Sequence, residues 1–251
     1  MDDLTRLIII PDVHGRGFWR DAVTLFPNAE FVFLGDYLDP YEEEGISNEK
    51  AYSGLLEILE LKRIRPDRVT LLWGNHDLHY LYPEMMGSRY DVENAERNAR
   101  TFWDHRELFK MAYAITAGNN NYLLTHAGIG RKWITGTFPE LTESDIGATL
   151  INELVGYPPF MHALEDVSCI RGGDKQYGSM VWADLREHIP EENQLPVIQI
   201  FGHTRVAKAF NWGNRFYCLD CAEYFIMNKD TGRIYDSSGR EVIPFPIPQN
   251  E

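Results

Sequence analysis

Side chains that can bind metal ions follow five short apolar segments of the sequence, at the point where each segment gives way to polar residues. They are carboxylates, imidazoles and one amide, with no thiolate among them. Oxygen and nitrogen ligands of this kind suit hard or borderline divalent ions such as manganese, iron or zinc, and disfavour a soft metal. The six candidates are Asp12, His14, Asp36, Asn75, His126 and His203.

The segments that precede these candidates have the composition of buried strands. Residues 7–10 are one leucine and three isoleucines, a run that is typical of a strand covered on both faces. Helical patterns follow at residues 18–26 and at about 48–64, which predicts strand–helix–strand units with helices outside an open sheet. The other strand-like segments are residues 31–34, 69–73, 122–125 and 197–201.

This order of elements predicts that the six candidates form one site. In an open α/β sheet, ligands bind outside the carboxyl ends of the strands. A set of this size with a shared carboxylate matches a two-metal site, in which the ions lie roughly 3.5–4 Å apart. Taken singly, His126 or His203 could equally be a structural histidine, and Asp12 could cap a helix. Their common position after strands is what favours the site.

The remaining segments are less regular. We expect a polar helix over residues 91–111 and a hairpin around Gly118-Asn119-Asn120, which is a turn-prone cluster. Residues from about 131 to 192 carry helices and loops that we place as a cap over one edge of the sheet. The proline-spaced tail, residues 243–251, is expected to lie extended on the surface.

Composition and charge restrict the classes of function. The 251 residues are 44% hydrophobic and 25% charged, which is ordinary for a globular protein, and residues 1–251 are predicted to form a single domain. The net charge of −14 disfavours duplex nucleic acid as a partner, since such a partner needs a basic face. We find no secretory leader and no apolar segment of membrane-spanning length, so we expect a cytoplasmic protein without a membrane partner. Three cysteines with a single CxxC at residues 218–221 predict neither a disulfide framework nor a zinc site.

Five ordered motifs contain the candidate residues. They are Asp12-Val-His14-Gly15, Gly35-Asp36-Tyr-Leu-Asp39, Gly74-Asn75-His76-Asp77, Thr125-His126-Ala-Gly128 and Gly202-His203-Thr204. With these motifs, over about residues 5–225, the chain resembles the calcineurin-like metallophosphoesterases and, within them, the phosphoprotein-phosphatase-like branch. Their family patterns are DxHG, GDxxD, GNH[DE], H-[GA]-G and GH. The resemblance implies an α/β fold, a four-layer αββα sandwich.

The resemblance also implies a division of roles within the site. His76 would be the general acid that protonates the leaving oxygen, and Asp39 would orient it. A hydroxide that bridges two divalent ions would attack phosphorus in line. Carried over position by position, the first ion would be held by Asp12, His14 and Asp36, with Asp36 bridging, and the second would be completed by Asn75, His126 and His203.

Two departures from the family pattern concern the binding of metal and phosphate. Arg205 stands where many members of the wider superfamily have a second histidine, so the first ion is expected to be completed by water. Pro40 stands where the branch usually has an arginine that grips phosphate. Arg186 and Arg205 are the candidates to replace that arginine, although an unassigned arginine is more often a surface residue.

The expected function is that of a dinuclear metal-dependent phosphoesterase, most similar to a Ser/Thr-phosphatase-like phosphomonoesterase. Its substrate would be a phosphoprotein, a small phosphomonoester or a dinucleoside polyphosphate. The continuation Asp77-Leu78-His79 resembles symmetrical diadenosine tetraphosphatases, which keeps a dinucleoside polyphosphate hydrolase as an alternative. We expect Asp77 to stabilise the loop and His79 to orient a neighbouring side chain. A non-catalytic metal-binding scaffold is an alternative of another class, but such a protein would be expected to lose ligands or His76.

Overall fold

The computed structural model of the protein describes residues 3–245. Within them, two β-sheets pack face to face and helices cover the outer faces. This arrangement confirms the predicted four-layer αββα sandwich.

The first sheet has six strands in the order β11-β10-β1-β2-β3-β4. Strands β1 to β4 run parallel, and β10 and β11 add an antiparallel edge. The carboxyl ends of β1, β2 and β3 therefore meet at one edge. The strands are β1 (Arg6–Ile10), β2 (Glu30–Phe33), β3 (Val69–Leu72), β4 (Phe109–Lys110), β10 (Phe225–Asn228) and β11 (Ile234–Asp236).

The second sheet has five strands in the order β5-β6-β7-β9-β8. Its central strands β6, β7 and β9 run parallel, so their carboxyl ends also share one edge. The strands are β5 (Tyr113–Ala117), β6 (Asn120–Leu124), β7 (Ile198–Phe201), β8 (Phe210–Trp212) and β9 (Phe216–Cys218).

The continuous apolar run of β1 is explained by burial on both of its faces. Leu7 and Ile9 belong to the apolar cluster between the two sheets, which also contains Leu124 of β6. Ile8 and Ile10 belong to the cluster beneath the helices. Successive side chains of a strand point to opposite faces, so both faces of this strand must be apolar.

Seven α-helices are present in the described part of the chain. Helix α2 begins at the predicted position, and the Ser47 hydroxyl caps it by accepting a hydrogen bond from the Lys50 amide at 3.2 Å. Helices α5 to α7 lie within the region predicted as a cap, and the division into one domain with a cap remains a prediction. The helices are α1 (Phe18–Leu25), α2 (Asn48–Ile64), α3 (Asn75–Leu78), α4 (Ala95–His105), α5 (Arg131–Thr137), α6 (Ala148–Glu153) and α7 (Pro158–Ala163).

The predicted helix over residues 91–111 is wrong at both ends. Helix α4 covers only Ala95–His105, and the chain then forms β4, in which Phe109 pairs with Leu71 of β3. Pairing with the edge of the sheet, which the local sequence does not encode, therefore overrides the helical pattern. The hairpin is confirmed, with a turn at Gly118 between β5 and β6.

The C-terminal tail and the membrane-spanning length of the helices were also subjects of prediction. Residues 246–251 of the predicted extended tail lie outside the described residues. Among residues 3–245, no helix is both long and apolar enough to cross a bilayer.

Candidate metal centre and the His76–Asp39 pair

The loops that follow β1, β2, β3, β6 and β7 bring the six predicted ligands together. Hydrogen bonds from backbone amides join these loops, both within the first sheet and between the two sheets. The His14 amide donates to the Asp36 carbonyl at 2.7 Å, and the His203 amide donates to the Asp12 carboxylate at 2.9 Å. The meeting of strand ends that the sequence predicted is present, and it includes strands of both sheets.

The six side chains form two clusters that share Asp36. In each cluster, ligand atoms of three residues lie within 4.8 Å of one another. The Asp36 carboxylate lies 3.5 Å from His14 Nε2 and 3.5 Å from His126 Nε2, so it stands between the clusters. Asn75 adjoins the second cluster, with its Oδ1 2.9 Å from His126 Nε2. The clusters are Asp12, His14 and Asp36, and Asp36, His126 and His203.

The protonation of two histidines indicates that cations belong here. His126 Nδ1 lies 2.8 Å from the Leu34 carbonyl, which can only accept a hydrogen bond, so Nδ1 carries the proton. The Nε2 lone pair then faces the oxygens of Asn75 and Asp36, and this contact is repulsive unless a cation lies between them. His14 repeats the pattern, with Nδ1 2.8 Å from the Leu38 carbonyl. The residues present therefore fit bound metal ions.

Backbone conformation also distinguishes the site. Among the described residues, seven non-glycine residues have positive φ, and five of these lie at the site. The left-handed conformation costs on the order of 1 kcal/mol for a residue with a Cβ atom. Its concentration here indicates that the side chains are held in place at some cost in stability. The five residues are His14, Asp36, Asp39, Arg89 and His203.

Two glycines are required because carboxylates fill the space beside them. A Cβ atom on Gly74 would lie 2.2 Å from Asp36 Oδ1, and one on Gly202 would lie 2.0 Å from Asp12 Oδ1. Neither glycine has a positive φ, so space and not backbone conformation explains the residue type. The glycines allow the strand ends to approach the ligands closely.

The predicted role of Asp77 in stabilising the loop is confirmed. Its carboxylate accepts hydrogen bonds from the amides of Asp36, Tyr37 and Gly74 at 2.8, 3.0 and 2.8 Å. The loop after β2 and the start of α3 are thereby tied together. This tie fixes the position of the shared carboxylate relative to His76.

His76 is oriented by a buried carboxylate. His76 Nδ1 lies 2.8 Å from Asp39 Oδ2, and His79 Nε2 lies 2.7 Å from the same oxygen. The Tyr80 hydroxyl donates to the other oxygen of Asp39 at 2.5 Å. Burial opposes ionisation of Asp39, but the hydrogen bond from His76 and the close approach of His79 outweigh it and lower the pKa of Asp39. Because the anion holds the proton on Nδ1, the lone pair of His76 is on Nε2.

The environment of the first cluster shifts the pKa values of two proposed ligands in opposite directions. Burial lowers the pKa of His14 to about 3, so this imidazole stays neutral and available to a metal. Burial, together with the nearby charge of Asp36, raises the pKa of Asp12 to about 7. A cation bound to this cluster would lower the pKa of Asp12, because its positive charge offsets the effects of burial and of the Asp36 charge.

The two arginines predicted to bind phosphate are both paired with carboxylates. The Arg186 side chain is 65% exposed and forms a salt bridge with Asp184 at 2.7 Å. The Arg205 side chain is 48% exposed and pairs with Glu43 and Glu44. Their proposed role in substrate binding stays a prediction.

Sequence reasoning missed Arg89 and Asp220. Arg89 Nη2 lies 3.0 Å from His76 Nε2, but Arg89 belongs to a loop without periodic pattern, so no local signal identified it. Asp220 is buried, and neither of its carboxylate oxygens has a hydrogen-bond partner among the described residues. Burial and the charge of Asp12 raise its pKa. Asp220 could have been recognised from the sequence, because it follows β9 in the same way that the proposed ligands follow their strands.

The family model for calcineurin-like phosphoesterases matches residues 5–207. The chain belongs to this family. The expected resemblance is therefore confirmed, and the protein is a hydrolase that acts on phosphoric ester bonds. Its Asp and His clusters could bind metal ions.

Comparison with solved structures supports the fold. A cold-active protein tyrosine phosphatase matches with a TM-score of 0.60 and 18% identity, over 94% of this chain and 77% of that one. A protein serine/threonine phosphatase from Saccharomyces cerevisiae, with similarity to human phosphatase PP5, matches with a TM-score of 0.47 and 15% identity, over 97% and 81%. A dimetal phosphatase from Danio rerio matches with a TM-score of 0.41 and 14% identity, over 95% and 96%. At these identities the likeness concerns the fold, and of the three the tyrosine phosphatase alone exceeds a TM-score of 0.5.

Proposed function

We propose that the protein is a dinuclear metal-dependent phosphomonoesterase of the Ser/Thr-phosphatase-like kind, with His76 as its general acid. The observation that supports this most directly is the position of the His76–Asp39 pair beside two ligand clusters that share Asp36. The rings of His76 and His14 are edge to face, with centroids 5.2 Å apart, so the acid adjoins the first cluster. Ester cleavage needs both of these parts.

The two clusters would hold two divalent ions, for which manganese, iron and zinc are the candidates. Such ions activate a water molecule for attack on phosphorus and offset the charge of the phosphate. Asp36 would contact both ions. The first ion would also be held by Asp12 and His14, and the second by Asn75, His126 and His203.

The chemical role of His76 follows from its hydrogen bonds. Asp39 orients the ring through Nδ1, so that the lone pair is on Nε2, where it accepts a hydrogen bond from Arg89. Once protonated, Nε2 can donate its proton to the leaving oxygen, while the negative charge of Asp39 stabilises the imidazolium. Asp39 itself keeps its charge throughout.

The substrate is a phosphorylated molecule, and a small phosphomonoester or a phosphoprotein suits the proposal. The net charge of −14 disfavours duplex nucleic acid. The expectation of a cytoplasmic protein stays a prediction.

A dinucleoside polyphosphate hydrolase is the second candidate function. His79 favours it, because the Asp77-Leu78-His79 continuation resembles symmetrical diadenosine tetraphosphatases and His79 contacts Asp39. A non-catalytic scaffold is less compatible with the site, since the side chains required for metal binding and proton transfer are all retained.

A substrate panel separates these functions. The purified protein is incubated with manganese or with EDTA and assayed on p-nitrophenyl phosphate, a phosphopeptide and diadenosine tetraphosphate. We expect manganese-dependent release of orthophosphate from the first two substrates. Faster cleavage of diadenosine tetraphosphate would favour the second candidate, and folded protein with no metal-dependent turnover on any substrate would favour the scaffold.

A further inference from the structure

We propose that Arg89 is the cation that binds the phosphoryl oxygens of the substrate in this site. The role is open in this chain because Pro40 occupies the position where the family branch usually has an arginine. The inference rests on the proposed function, but the binding of a phosphate by Arg89 can be measured without turnover.

The guanidinium of Arg89 is held beside His76 Nε2, the atom that the leaving oxygen of the substrate must approach. Its Nη2 donates to His76 Nε2 at 3.0 Å, and its Nη1 donates to the Asp39 carbonyl at 2.5 Å. The guanidinium carbon also lies 3.7 Å from the centroid of the Tyr41 ring. Stacking on an aromatic ring leaves the planar donors of an arginine free to bind an oxyanion.

Charge pairing distinguishes Arg89 from the other arginines near the site. No carboxylate oxygen of the described residues lies within 4.0 Å of the Arg89 side-chain nitrogens. The positive charge of a half-buried guanidinium is thus left for an anion from outside the chain. By contrast, Arg16 pairs with Glu44, Arg171 and Arg186 pair with Asp184, and Arg205 pairs with Glu43 and Glu44.

The backbone around Arg89 fixes it beside the metal ligands. Arg89 itself has φ of +61°, and a Cβ atom on Gly87 would lie 2.9 Å from the Trp182 ring. Trp182 in turn packs edge to face against His203, with centroids 5.7 Å apart. The segment that carries Arg89 is therefore packed against the second cluster, at a distance that only a glycine allows.

The contact with His76 has a consequence for catalysis. While Arg89 donates to Nε2, that atom cannot approach a leaving oxygen. A phosphate that draws the guanidinium toward its own oxygens frees Nε2 at the moment the ester is in place. Arg89 would thus bind substrate and couple its binding to the availability of the acid.

The test compares Arg89→Gln and Arg89→Lys in the manganese-loaded protein. We expect Arg89→Gln to raise the KM for p-nitrophenyl phosphate and the calorimetric Kd for orthophosphate by at least about tenfold, since a charge-assisted bond to phosphate is lost. Metal content should stay unchanged. Arg89→Lys should recover part of the affinity, because the charge is kept and the planar fork is lost. The matched control is Arg100→Gln on α4, whose side chain is 83% exposed.

The outcomes separate this inference from the proposed function. An unchanged Kd for orthophosphate in Arg89→Gln would overturn the inference, and so would a loss of affinity in Arg205→Gln alone. If the wild type shows no turnover yet binds orthophosphate through Arg89, the proposed function fails and the inference stands.

Discussion

Asp77 is a side chain whose hydrogen bonds serve structure and not chemistry. It is fully buried and accepts three backbone hydrogen bonds from the two loops that carry Asp36 and His76. A buried carboxylate with this many donors stabilises the loops that meet around it. The tripeptide Asn75-His76-Asp77 thus combines a proposed metal ligand, a proposed acid and a structural tie.

The raised pKa of Asp12 predicts how metal binding depends on pH. A metal displaces the proton from a carboxylate, so a pKa of about 7 makes the proton a competitor below that pH. We expect manganese affinity to rise by up to roughly tenfold per pH unit below pH 7 and to level off above it. His14 and His203 do not add to this change, because burial lowers the pKa of both. Titration calorimetry between pH 5.5 and 8.5 measures it, and a flat affinity over that range would contradict the assignment.

The clustering of the six proposed ligands could be predicted from sequence because each lies in a loop that follows a strand. Their backbone positions bring them together, and the packing of distant side chains matters little. Arg89 differs, because its place beside His76 depends on Tyr41, Asp39 and the Gly87 contact with Trp182. No pattern in the local sequence encodes such contacts between loops.

Among the elements, the central strands and the cap of α2 were predictable because burial on both faces and an N-terminal serine leave clear patterns. Strand β4 was missed because it has only two residues, which is too few to show an alternation of apolar and polar side chains. The short helix α3 was also missed, since its four residues are all buried and show no amphipathic alternation.

The close approach of β3 to the loop after β2 predicts that Gly74→Ala disrupts the site. The new methyl group would overlap Asp36 Oδ1 and the Asp36 backbone nitrogen, which lie 2.2 and 2.5 Å from the Cβ position. We expect loss of bound metal and a decrease of about 1–3 kcal/mol in the free energy of unfolding.

The matched control for this prediction is Gly136→Ala in α5, where nothing lies within 4 Å of the new Cβ atom. It should leave metal content unchanged and stabilise the protein slightly, because alanine favours a helix. Metal content and the free energy of unfolding in urea are measured for both variants. Full metal content in Gly74→Ala would show that the loops can separate without losing the site.

In the molecule as a whole, the proposed metals would join the two sheets. Asp12, His14, Asp36 and Asn75 follow strands of the first sheet, while His126 and His203 follow strands of the second. An ion that binds only the folded arrangement stabilises it by mass action, by about 2.7 kcal/mol at a hundredfold excess over its Kd.

Removal of metal should therefore lower the thermal stability of the whole protein. We expect EDTA to decrease the Tm by roughly 5–10 °C per site lost, for a chain of this size. Calorimetry with and without EDTA measures the change, and His203→Ala serves as a variant in which the change should be smaller. Equal Tm values in both conditions would mean that metal does not join the sheets.

The most direct test of the account measures metal content and turnover together in His76→Asn. The wild type should contain two divalent ions and hydrolyse p-nitrophenyl phosphate. The variant should keep both ions and lose about 10²- to 10⁴-fold in kcat, because a general acid is removed while the ligands remain. Turnover close to that of the wild type, or the loss of a metal ion from the variant, would contradict the assignment of His76 as the acid.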